Sequence, residues 1–158
     1  MFKRKKVTEA FLKLSMEHTQ VLDHLQQLQA ILNGKKTGMG KQLAKEAALF
    51  TKDMRKHFEL EEMVLFPTAM ICIPELENID RVLVLQKEHG VFETEIEALL
   101  QVLANPAQMK KRPSDALIRR VQALIRRLKR HADIEMLDLF PRLDDSRRAQ
   151  KIIRGFVS

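Results

Sequence analysis

The chain has 158 residues, a formal net charge of +7 and a single cysteine, Cys72. An apolar fraction of 45% with 31% charged residues is ordinary for one globular domain, which at this length buries enough surface to fold without a disulfide. There is no signal-type apolar stretch behind the basic start Met1 to Lys6, and no run of about 18 apolar residues, so the chain reads as cytoplasmic and not membrane-spanning.

Four segments carry helical periodicity and none alternates like a strand, so the expected fold is all-α. Helix A starts at Thr8, whose hydroxyl can cap it while Val7 staples against Leu12. Its apolar stripe runs Phe11, Leu14, His18, Val21, Leu22, Leu25, Leu28 and Leu32, and the turn from Asn33 to Gly40 ends it. Helix B carries Leu43, Ala47, Phe50, Met54, His57, Glu61 and Val64, and Pro67 is expected to stop it. A moderately apolar link from Thr68 to Asn78 has room for a short turn over the bundle end. Helix C repeats the pattern through Val82, Leu85, His89, Phe92, Ile96, Leu99 and Leu103 until Asn105-Pro106 breaks it. Helix D starts near Ser114 and runs Leu117, Val121, Leu124, Leu128, His131, Glu135 and Leu139. Four such helices on short links make an up-down-up-down four-helix bundle over residues 8–141, with a basic tail at 1–7. Residues 142–158 form a C-terminal extension with room for a short helix.

Within this pattern one motif is written twice. His57-Phe-Glu-Leu-Glu61 followed by Met-Val-Leu-Phe-Pro67 returns 74 residues later as His131-Ala-Asp-Ile-Glu135 followed by Met-Leu-Asp-Leu-Phe-Pro141. Each copy follows a Glu-His pair, Glu17-His18 and Glu88-His89. A four-residue step is just over one helical turn, so each His and its Glu share a face. His18, His57, Glu61, His89, His131 and Glu135 all fall where the apolar stripes assign the core. A lone buried carboxylate is destabilising by several kcal/mol, and no Lys or Arg lies in any stripe to offset it. Imidazole and carboxylate together suit a transition metal, and the spacing leaves Fe, Mn and Zn open. A single histidine on an apolar face is most often a hydrogen-bonded core residue; four on four helices, two with a Glu at the same offset, point to a pair of cations. His24 lies about 120° from its helix's stripe and reads as a surface or boundary residue. Phe66 and Phe140 are read as closing the core where proline ends each helix. Met16, Met54, Met63 and Met136 are read as core filler.

Met-Glu-His18, His57-Phe-Glu-Leu-Glu-Glu-Met-Val-Leu-Phe-Pro, Lys-Glu-His89 and His131-Ala-Asp-Ile-Glu-Met-Leu-Asp-Leu-Phe-Pro resemble the hemerythrin-like (HHE cation-binding) domain family over residues 8 to about 141. The resemblance implies a four-helix bundle around two iron ions bridged by oxo or hydroxo, with His18, His57, Glu61, His89, His131 and Glu135 as ligands; Mn and Zn are the alternatives. It departs from the oxygen-carrying hemerythrins, which place a second His where Glu93 stands and a helix D Asp where Met136 stands. The ligand set is therefore the more symmetric kind, also found in relatives implicated in repair of iron centres and in iron or oxygen sensing. The repair relatives carry a further N-terminal region not seen here. Glu93, one turn past His89, is a candidate seventh ligand, its other reading being a solvated stripe edge.

The resemblance implies a non-enzymatic protein that binds or senses small diatomic ligands, oxygen or nitric oxide, or iron and redox state. The alternative is a small redox enzyme that decomposes peroxide or donates iron for repair; a zinc-stabilised structural bundle is a third class. Tyr and Trp are both absent, which argues against chemistry that stores an oxidising equivalent on such a side chain. No Glu-x-x-His pair of the oxygenase and ferritin kind is present, since Ser15, Val21, Met54, Gln86 and Leu128 precede the histidines by three. The positive charge gathers in Lys3 to Lys6 and around helix D, in Lys110, Lys111, Arg112, Arg119, Arg120, Arg126, Arg127, Lys129 and Arg130. A solvated face is the ordinary reading and an acidic protein partner the other; no stacking platform or motif supports nucleic acid.

Overall fold

The computed structural model describes residues 9–34, 40–105, 107 and 113–157, and among these the secondary structure is helical throughout. The helices are α1 (Glu9–Asn33), α2 (Gly40–Leu60), α3 (Phe66–Cys72), α4 (Leu76–Ala104), α5 (Asp115–Ile134), α6 (Phe140–Asp145) and α7 (Arg147–Val157). A π-helical turn, Glu61–Leu65, joins α2 to α3, and a second, Glu135–Leu139, joins α5 to α6. The long helices pack in a ring, α1 against α2 and α5, α2 against α4, and α4 against α5.

Local chemistry explains most boundaries. Ser114 caps α5, its Oγ accepting from the Leu117 N–H at 3.1 Å. Asn105 is extended, as a residue before proline must be, and ends α4 where Asn105-Pro106 predicts. Ser146 Oγ accepts from the Ala149 N–H at 3.2 Å and opens α7. The expected Thr8 cap, the Val7 staple and the side chains of Phe11 and Leu14 lie outside the described residues, as do Lys3 to Lys6 and Lys110 to Arg112.

The helices do not stop at proline. Pro67 and Pro141 sit one residue into α3 and α6, which carry the chain on to Cys72 and Asp145. Proline has no N–H to give and its ring clashes with the carbonyl four residues back. The π turn removes the conflict by slipping the ladder one residue beforehand: the Phe66 N–H donates to the Glu61 carbonyl, and the Phe140 N–H to the Glu135 carbonyl. The extra residue also rotates the face, so that Val64, Leu65 and Phe66 are buried in succession. Phe66 and Phe140 do close the core, at a π turn and not at a helix end.

The predicted stripes are buried wherever they are described, apart from half-buried Leu22. Among the methionines named above, only Met54 fills the core; Met16, Met63 and Met136 are exposed, each lying off its helix's inward stripe. The apolar residues fall into two clusters. One is built on Leu25, Leu28, Phe50, Met54, Phe92, Ile96, Val121 and Leu124 from α1, α2, α4 and α5. The other holds Leu65, Phe66, Leu85, Leu139, Phe140 and Leu143, closed by Ala149 and Ile153 of α7. Asn78 anchors the connection beneath it: fully buried, it donates through Nδ2 to the carbonyls of Ala69 and Ile73. Sequence reading placed this residue at the end of a link; it lies inside α4 and fixes that link.

Candidate metal centre

Six polar side chains are buried where the apolar stripes of α1, α2, α4 and α5 meet the two π turns. His18, His57, His89 and His131 are each at most 4% exposed, and Glu61 and Glu135 are fully buried. Each glutamate is the first residue of a π turn, one helical turn beyond its histidine. His57 Nε2 lies 2.6 Å from Glu61 Oε1, and His131 Nε2 lies 2.6 Å from Glu135 Oε1. The remaining two imidazoles reach across the bundle. His18 Nε2 is 3.2 Å from Glu61 Oε1 and 3.5 Å from Glu135 Oε2, while His89 Nε2 is 2.9 Å from Glu61 Oε2.

These contacts resolve into two groups, His18, His57, Glu61 and Glu135 on one side and Glu61, His89, His131 and Glu135 on the other. Within each, one donor atom per residue lies within 4.8 Å of all the others. Both glutamates belong to both groups. All six residues singled out from the sequence are thus brought together. His24 is elsewhere, half-buried, 2.9 Å from Asp53 through Nε2. Glu93 is exposed and joins neither group.

An outer ring of carboxylates orients three of the imidazoles. His57 Nδ1 donates to Glu17 at 3.2 Å, His89 Nδ1 to Glu62 at 2.9 Å, and His131 Nδ1 to Glu88 at 2.8 Å. Sequence reading noted the Glu17-His18 and Glu88-His89 pairs without assigning the glutamates a part. The signal was adjacency: in a closely packed ring, the residue before a ligand on one helix faces the histidine on the next. Aromatic rings complete the setting. Phe58 lies flat on His89 at 3.8 Å between centroids, Phe92 meets His131 edge-on at 5.4 Å, and Phe140 stacks on His18 at 5.4 Å.

Electrostatically the cluster is balanced by protons. Burial alone would depress the His57 and His131 imidazoles, but the surrounding glutamates outweigh it and hold each up to about 10. His18 is raised in the same way, against burial, by Glu135 and Glu61. Burial pushes Glu61 up, yet His57, His131 and His18 together hold it well below the ordinary carboxylate range. Glu135 is raised by burial and by the charge of Glu61.

The donor set fits a cation. Glu61 Oε2, both oxygens of Glu135 and His57 Nε2 are buried and, although N···O approaches of 2.6 to 3.5 Å surround them, none is satisfied by an aligned hydrogen bond. His89 and His131, each with Nδ1 committed to a carboxylate, point their Nε2 atoms at one another 3.1 Å apart. Converging lone pairs and orphaned carboxylate oxygens in an apolar shell need positive charge between them.

A family model described as the hemerythrin HHE cation binding domain matches residues 11–143. No curated protein and no solved structure matches the chain significantly. Among the described residues no helix is long and apolar enough to cross a membrane.

Proposed function

Because the chain belongs to the hemerythrin HHE cation-binding domain family, we propose that it is a non-haem di-iron protein that binds or senses small diatomic ligands or iron and redox state. The observation that carries this reading is the pair of buried groups sharing Glu61 and Glu135, three of whose four carboxylate oxygens have no hydrogen-bond partner. In this reading residues 8–141 form an up-down-up-down bundle, and residues 1–7 and 142–158 are its appendages. His18 and His57 would hold one iron and His89 and His131 the other, with Glu61 and Glu135 available to both. Imidazole and carboxylate together suit iron, with Mn and Zn as the competing occupants.

When bound, two iron ions would supply redox-active, Lewis-acidic positions able to take a diatomic guest. The protein's own part is to shape what reaches them. By accepting the Nδ1–H of His57, His89 and His131, Glu17, Glu62 and Glu88 leave each Nε2 with its lone pair directed inward. Phe58, Phe66, Phe92, Leu65 and Leu139 surround the polar layer, leaving little passage for bulky molecules and disfavouring water. The exposed cations of α5, Arg119, Arg120, Arg126, Arg127, Lys129 and Arg130, are read as a solvated face before they are read as a dock for an acidic partner.

The reading is tested by metal content and optical spectrum of the purified protein, before and after reduction and exposure to oxygen or nitric oxide. A reversible spectral change with two irons per chain is expected. A colourless zinc protein would overturn it, and rapid turnover of added peroxide would move the assignment to a redox enzyme.

A further inference from the structure

The internal repeat is also a spatial one, and it can be followed contact by contact through the site. Residues of the π-turn segments correspond at an offset of 74, and the single-His segments at an offset of 71. His57 with Glu61 at 2.6 Å is matched by His131 with Glu135 at 2.6 Å. His57 Nδ1 with Glu17 is matched by His131 Nδ1 with Glu88. Phe66 beside His89 at 5.3 Å is matched by Phe140 beside His18 at 5.4 Å.

The correspondence fails around His18. His89 Nδ1 donates to Glu62, the second residue of its π turn, but the equivalent second residue of the other turn is Met136. Glu62 and Met136 are both exposed on the outer side of their turns, so the position is equivalent while the chemistry is not. The consequence is visible in the acceptor count: His18 Nδ1 is buried and has no hydrogen-bond partner. The support on the ring's face differs too. Phe58 lies flat on His89, at 3.8 Å and 7°, and its counterpart by the same offset is the small residue Ala132.

We propose that the two metal positions are unequal, and that Met136, by withholding an acceptor from His18, makes the position held by His18 and His57 the weaker of the two. This rests on the two-metal reading above. An outer carboxylate fixes the ring's tautomer and orientation and raises the basicity of the ligating nitrogen, and its loss typically lowers metal affinity by about 10- to 100-fold. His89 and His131 both have that support; of the other pair only His57 has it. The position next to His18 therefore fills last and empties first, which makes it the one at which iron is gained or lost.

The test is a titration of metal-free protein with Zn2+ as a diamagnetic probe, following the histidine-ring 15N resonances and competing with a chromophoric chelator. Two cations repel one another, so separate steps alone decide nothing; the order of filling and the response to substitution do. The first equivalent is expected to move the rings of His89 and His131, the second those of His18 and His57. Met136→Glu should tighten the second step by about 10- to 100-fold and shift the His18 Nδ1 resonance to that of a hydrogen-bonded N–H. Met136→Gln should shift that resonance in the same sense, since a neutral amide oxygen accepts the bond and is a poor ligand itself. Glu62→Met should weaken the first step. First-equivalent filling of the His18 pair, even filling of both, or a second step unmoved in both Met136 variants would overturn the proposal while leaving two bound ions in place. Uptake of fewer than two ions would instead remove the two-metal reading, and this inference with it.

Discussion

Raising the pH of the metal-free protein should destabilise it, and the direction follows from the buried imidazoles. His57 and His131 are held up to about 10 in the folded chain, against the ordinary value of 6.5. A histidine raised on folding contributes stability that is fully present below 6.5 and is lost as pH climbs through the folded value. Between about pH 7 and pH 10 these two imidazoles therefore hold up to two more protons in the folded chain than in the unfolded one, and His18, raised in the same sense, adds to the difference. Each proton of difference corresponds to about 1.4 kcal/mol per pH unit, so the slope reaches at most about 3 kcal/mol per unit for the pair. Glu61 works the other way, being held below its ordinary range, but its contribution is lost only as pH falls through the acid region. Loaded protein should escape the effect, because cations take over from the imidazolium protons, and loading near pH 8 should release those protons to solvent. Urea denaturation in the presence of a chelator, repeated from pH 7 to pH 10, measures the slope; the same series on His131→Gln should show a clearly shallower one. A metal-free stability that stays level or rises over that window would show that the buried imidazoles do not hold their protons in the folded chain.

Three substitutions probe separate parts of the account. Glu61→Gln takes the charge from a residue shared by both groups, so metal analysis should find stoichiometry reduced to one ion or fewer, where an unchanged two would contradict the sharing. Phe66→Ala empties a fully buried position beside His89, and denaturation should register a loss of about 3–5 kcal/mol, or a fall in Tm on the order of 10 °C. Glu93→Ala should leave both optical spectrum and metal content unchanged, since that side chain is exposed; a change in either would restore it as a ligand.

The apolar stripes and six inward-facing polar residues were legible because both depend on a periodicity that a helix enforces rigidly. Where the backbone leaves that periodicity, the reading slipped. Pro67 and Pro141 seemed to be stops because an unbroken α-ladder cannot accommodate them, and a π turn is the change of ladder that can. The visible sign was the run Val64-Leu65-Phe66, three apolar residues in succession that no single α-helical face can bury. Met63 and Met136 were misassigned as filler for a simpler reason: six residues past His57 and five past His131, they stand about 120° and about 140° away from the inward-facing histidine and are exposed. Glu17 and Glu88 carried a signal in their adjacency to a ligand histidine, but the partners of these two and of Glu62 lie on neighbouring helices, and only the ring order of the bundle pairs each with a particular Nδ1. Asn78 was missed because its two carbonyl partners belong to the non-repeating link, where neither period nor motif gives a register.

In the proposed reading a pair of cations occupies the polar layer between the two apolar clusters. X-ray absorption at the metal edge, combined with metal quantitation on protein loaded with iron under reducing conditions, addresses it directly. Two irons per chain, a mixed nitrogen and oxygen shell, and a metal–metal scattering path that disappears in Glu61→Gln are expected. One ion per chain, or two with no metal–metal path in the unaltered protein, would contradict it.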